Sequence, residues 1–146
     1  MPNQNIHAIQ QDIIDEFALF EDWIERYQYI IDLGRDLPQL DADEMVEANL
    51  VKGCQSQVWL MANEENGKII YRVNSDAAIV KGLAALLVRV YSNQTADIIV
   101  NTEPEFISKI NMHEHLSPTR SNGLVAMLKQ IKLFAAAIKQ RHKLEP

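Results

Sequence analysis

Leu50-Val51-Lys52-Gly53-Cys54-Gln55-Ser56-Gln57-Val58-Trp59-Leu60 is the stretch on which the reading of this chain turns. It holds the only cysteine among 146 residues. Gly53 lets the backbone ahead of that cysteine take a conformation closed to residues with a Cβ. Gln55, Ser56 and Gln57 are polar and uncharged, and Val58-Trp59-Leu60-Met61 then turns apolar. The pattern is a loop running into a strand, with the thiol at the junction, at the edge of a sheet. A sulfur there is open to reaction, yet free cysteine also packs as a small hydrophobe, and the pattern leaves both roles open.

Working outward, residues 58–62 and 69–73 read as the arms of a hairpin, so the sheet is antiparallel. The connection Asn63-Glu64-Glu65-Asn66-Gly67 contains an Asn-Gly turn signal inside a loop longer than two residues. Asn49-Leu50-Val51 reads as a short additional strand. Residues 39–48 are acidic and aperiodic and read as a linking loop with one helical turn near 43–47.

Upstream, Ile6, Ile9, Ile13, Phe17 and Phe20 recur at three- and four-residue steps, the period of an amphipathic helix. Glu21 or Asp22 caps a second helix carrying Trp23, Tyr27, Ile30 and Ile31. Gly34 falls where a left-handed C-terminal cap is expected, and Leu37-Pro38 prevents continuation. Downstream, Ser75 reads as the cap of a helix through Tyr91, with Asp76 in its first turn. That helix is apolar nearly all round and so is expected to be buried, with Lys81 and Arg89 as its only charges. Gly82 within it points to a close helix–strand contact. Thr95 caps a short helix, Glu103-Pro104-Glu105 opens another, and His113 and His115 follow in a loop. Ser117-Pro118 starts the last helix, whose inner stripe takes in Leu124, Met127 or Leu128, Ile131, Phe134 or Ala135, and Ile138. The predicted class is α+β: a small antiparallel sheet of two or three strands packed by several helices, one domain over 1–146.

Composition narrows the function. Hydrophobic residues make up 47% and charged residues 23%, enough apolar surface to bury a core. No run of 18 apolar residues occurs, so no transmembrane span is expected, and Met1-Pro2-Asn3-Gln4-Asn5 lacks the features of a signal peptide. A single cysteine forms no internal disulfide, which fits a reducing, cytoplasmic compartment. The net charge of −6 argues against nucleic acid, whose phosphates need a basic footprint. Residues 1–47 carry 12 acids against Arg26 and Arg35, a net of −10, and the remainder carries 8 acids against 12 cations, a net of +4. That asymmetry either steers a protein partner or marks solvated helix faces.

Gly53-Cys54-Gln55-Ser56-Gln57-Val58-Trp59 also resembles the signature of the SufE family of sulfur-acceptor proteins. Three further blocks resemble the same family in the same order. They are Trp23-Ile24-Glu25-Arg26-Tyr27 with Ile30-Ile31-Asp32-Leu33-Gly34 and Leu37-Pro38, then Ser75-Asp76-Ala77-Ala78-Ile79-Val80-Lys81-Gly82-Leu83, then Leu116-Ser117-Pro118-Thr119-Arg120-Ser121-Asn122-Gly123-Leu124. Thr119 departs from the Ser expected before Arg120. The resemblance implies the fold that SufE proteins share with IscU-like iron–sulfur scaffolds. It implies sulfane sulfur accepted as a persulfide on Cys54 from a PLP-dependent, SufS-like cysteine desulfurase and delivered to an iron–sulfur assembly scaffold. Such a protein is a co-substrate and activator of its partner rather than an enzyme with its own turnover, and it holds no cofactor and no metal. The resemblance places Gly53, Gln55, Asp76 and Arg120 at the partner-binding face. Gln55-Ser56-Gln57 leans toward the iron–sulfur branch of the family.

The chemistry is thiol exchange, and the thiolate is the attacking species. A carrier must shield its persulfide, so Cys54 is expected to be largely buried at rest, on a loop able to swing out. Two other readings stay open. A cysteine hydrolase needs a histidine within reach of Cys54. A pure adaptor uses Cys54 only for packing. His113-x-His115 supplies only two ligands, short of a structural zinc site, and one cysteine cannot hold an iron–sulfur cluster by itself.

Overall fold

The computed structural model describes residues 5–144. Helices α1 (Ile6–Ala18) and α2 (Trp23–Arg35) come first. A hairpin of β1 (Val58–Glu65) and β2 (Lys68–Ser75) follows, then α3 (Ala78–Tyr91), α4 (Ala96–Asn101), α5 (Glu105–Lys109) and the long α6 (Pro118–Leu144). This is the expected α+β arrangement, with two strands in the sheet.

The hairpin pairs Val58 with Ser75 at its open end and Glu65 with Lys68 at its closed end. Its turn is only two residues, Asn66 (φ 52°) and Gly67 (φ 79°). Two successive positive φ values match the right-handed twist of the strands, so Glu64 and Glu65 belong to β1 rather than to a longer loop. Side chains alternate across the pleat, and Val58, Leu60, Ile69, Tyr71 and Val73 form the buried face. The Tyr71 hydroxyl crosses the core and donates to the carbonyl of Ile131 in α6 at 2.7 Å. The opposite face is covered by the segment before β1, where the Arg72 guanidinium meets the Glu44 carboxylate and Asn74 reaches the Met45 sulfur at 3.2 Å. No third strand forms there. Leu50 makes a single antiparallel bridge to Trp59, and the helical turn is a 3-10 turn at Glu47–Asn49, a few residues later than expected.

Helix α3 runs through the middle of the molecule. Leu83, Leu87, Val90 and Tyr91 are wholly buried, and Arg89 reaches the surface to pair with Glu16 of α1 at 2.5 Å. Its closest approach is to α2. A Cβ on Gly82 would run into the Ile30 carbonyl oxygen, and one on Gly34 would lie 2.8 Å from the Gly82 nitrogen. Gly34 is therefore inside α2 and caps nothing, and Gly82 marks a helix–helix crossing rather than a helix–strand contact. Two glycines let the backbones meet where side chains would hold them apart. Asp22 caps α2 by accepting from the Glu25 amide at 2.9 Å, and Thr95 caps α4 by accepting from the Ile98 amide at 3.4 Å. Phe20 lies beyond the end of α1. The inner stripe of α6 is Leu124, Met127, Ile131 and Ala135. No helix among the described residues is long and apolar enough to cross a membrane.

Candidate functional site

The loop before β1 is held at both ends. At its start, the Val51 amide donates to the Val58 carbonyl at 2.8 Å. At its finish, the Gln57 amide donates to the Asp76 carboxylate at 3.0 Å, and the Asp76 amide donates to the Gln57 carbonyl at 3.2 Å. Asp76 thus serves the loop and not the first turn of α3. Ser75 ends β2 and accepts from the Ala77 amide at 3.2 Å, and α3 begins at Ala78 without a side-chain cap. Gly53 has φ +91°, a conformation that side chains disfavour, and it backs onto α6 near Ala126.

These constraints turn Cys54 toward α6. Its sulfur lies 3.7 Å from the Gly123 carbonyl oxygen, in position to donate a weak hydrogen bond. A Cβ at Gly123 would stand 3.8 Å from the sulfur, so the thiol faces bare helix backbone. Cys54 is half-buried rather than largely buried, and desolvation raises its pKa above the ordinary value. Burial disfavours the charged thiolate.

Cys54 lies on an open cleft of about 610 Å³. Ile31 of α2 and Ile79 and Val80 of α3 supply apolar wall, while Ser117, Thr119 and Arg120 come from the start of α6. Ser117 accepts from the Arg120 amide at 3.3 Å, fixing that first turn. Among the residues singled out from sequence, Cys54, Gln55 and Arg120 meet at this cleft. Gly53 lies behind the thiol, and Asp76 braces the loop from beside it. Arg120 makes no ion pair with Asp76 among the described residues. Sequence reasoning missed Gly123 and the apolar wall. Gly123 carries a readable signal, since a glycine inside a helix marks a close backbone approach.

None of the four histidines lines the cleft. His113 bonds the Ser121 hydroxyl at 2.8 Å, His115 stacks on Trp23 with ring centres 4.2 Å apart, and His142 meets Glu64 at 2.6 Å. His7 sits in the first turn of α1. A hydrolase would find no histidine base beside Cys54. No group of three or more histidine, cysteine, aspartate or glutamate side chains suited to a metal occurs among the described residues.

The structure therefore presents one thiol on a braced loop over an open cleft of an α+β fold. The SufE Fe-S metabolism associated domain matches residues 11–135, and the chain belongs to the SufE family. An uncharacterized SufE-like protein of Rhizobium etli is 42% identical over 130 residues, covering 86% of this chain and 88% of that protein. An uncharacterized SufE-like protein of Rhizobium meliloti is 38% identical over 125 residues, covering 82% and 89%. The solution structure of a hypothetical protein from Thermus thermophilus has the same fold, with a TM-score of 0.73 over 88% of this chain and 94% of that one, at 21% identity. Membership of this family gives the protein a role in iron–sulfur metabolism.

Proposed function

We propose that the protein accepts sulfane sulfur as a persulfide on Cys54 from a PLP-dependent cysteine desulfurase and passes it to an iron–sulfur assembly scaffold. The observation that carries this reading is the setting of the only cysteine. It sits on a loop, at an open cleft, with no histidine beside it. A nucleophile without its own base suits an exchange in which the partner brings the activated sulfur. The Cys54 sulfur attacks the outer sulfur of the donor persulfide, a new S–S bond forms as the old one breaks, and the donor cysteine leaves as thiolate. No electrons are gained or lost overall.

Within this reading Gly53 provides the bend that presents Cys54. Gln55 and Arg120 meet the partner at the cleft, and Asp76 sets the stiffness of the loop. The whole chain, 1–146, acts as one SufE-like domain, in the reducing cytoplasm where a lone thiol stays free. The test is desulfurase turnover, read as alanine formed from cysteine, with and without this protein. Stimulation by the native chain that vanishes with Cys54→Ser and with Cys54→Ala supports sulfur acceptance. Stimulation retained by Cys54→Ala would leave only an adaptor, in which the thiol merely packs.

A further inference from the structure

The open cleft beside Cys54 has room for a small molecule. Its volume of about 610 Å³ falls within the ~300–1,000 Å³ usual for small-ligand sites. The chain carries 20 acidic residues, yet none is among those lining the cleft, where Arg120 is the one charged side chain. That guanidinium makes no ion pair among the described residues. One planar fork matches one carboxylate, whereas phosphate sites gather several donors. Ile31, Ile79 and Val80 offer apolar surface for a short hydrocarbon stem. The remaining functional group is the Cys54 sulfur.

We propose that this cleft binds a low-molecular-weight thiol bearing a carboxylate, with Arg120 taking the carboxylate and the ligand's sulfur facing Cys54. The inference rests on the sulfur-carrier reading and extends it, because carried sulfur then has a small-molecule exit besides a protein one. In the step, the ligand thiolate attacks the outer sulfur of the Cys54 persulfide. The persulfide S–S bond breaks as the ligand's S–S bond forms. The ligand leaves as a small persulfide, and Cys54 departs as thiolate and takes a proton from water. The sulfane sulfur keeps its oxidation state, so no oxidant or reductant enters.

The first test needs no sulfur loading. Cys54 of the intact protein is alkylated with iodoacetate and with iodoacetamide, each rate divided by that for a free cysteine derivative. The cleft predicts a normalised preference of about fivefold for the carboxylated reagent, lost in Arg120→Gln and only partly kept in Arg120→Lys, which retains the charge without the planar fork. Equal normalised rates in the native protein, or a preference that survives Arg120→Gln, would overturn the proposal. The second test starts from protein loaded by a desulfurase and then separated from it. N-acetylcysteine should discharge the persulfide several-fold faster than its amide at equal thiolate concentration. Equal discharge overturns the small-molecule site while leaving the carrier reading intact. Failure to load at all removes the carrier reading itself. If Arg120→Gln weakens loading and leaves both small-thiol rates alone, Arg120 belongs to a protein interface only and the proposal fails.

Discussion

On the proposed sulfur-carrier reading Cys54 faces two demands, exposure to a partner and protection of its sulfur, and its half-buried position against the Gly123 carbonyl meets both in part. Desolvation holds the proton on the sulfur at rest. The thiol should therefore titrate above the roughly 8.5 of free cysteine, so that in the absence of a partner its alkylation rate rises only at alkaline pH. The folded state binds this proton more tightly than the unfolded chain does. Its contribution to stability is full below the unfolded pKa and fades as pH rises through the folded value. A pH profile of iodoacetamide alkylation, folded and in urea, checks this: the folded midpoint should be the higher. A folded midpoint below the urea value would mean that an activating cation outweighs burial. At this scale the sequence was informative about Gly53 and Cys54, because a positive φ and a lone thiol are local properties. Of Gly123, 69 residues away, it showed only a glycine inside a helix, because the carbonyl gains its role once α6 packs over the loop.

At the scale of elements, the cysteine loop is tied to the start of α3 by the reciprocal pair between Gln57 and Asp76. Removing the Asp76 carboxylate deletes one of those two bonds at an exposed site, where water replaces part of it. Asp76→Ala should speed alkylation of Cys54 by about threefold to fivefold with little change in melting temperature. An unchanged rate would show that the thiol is reached without the loop opening. The α2–α3 crossing makes a stronger demand. Gly82→Ala forces a methyl into the Ile30 carbonyl and should cost about 3 kcal/mol or more of stability, measurable by urea unfolding. A loss below about 1 kcal/mol would mean that the helices separate at little cost. Helical periodicity revealed α1, α2 and α6, whose apolar residues recur on one stripe, and a nearly unbroken apolar run revealed α3. These patterns misassigned Gly34 and Gly82 because their purpose lies in one another, 48 positions apart in the chain. The hairpin was legible and its turn length was not. Glu64 and Glu65 are polar residues that β1 tolerates at the open edge of a two-stranded sheet.

Across the whole molecule, the sheet, α3 and α6 share one core, and the cleft opens where α2, α3, α6 and the cysteine loop meet. The α+β class was readable from the order of patterns along the chain. The site was readable only through its thiol and the motif blocks around it. No local feature announces that Arg120, 66 positions after Cys54, shares its cleft, because that neighbourhood is a product of the fold. The cleft is lined by one cation, Arg120, and by no acid. The most direct measurement is the intact mass of the protein after incubation with a cysteine desulfurase and cysteine and removal of the partner. Sulfur carriage on Cys54 predicts a gain of about 32 Da, absent in Cys54→Ser and reversed by a reducing thiol. An unchanged mass with every desulfurase tried, or a gain that persists in Cys54→Ser, would contradict it.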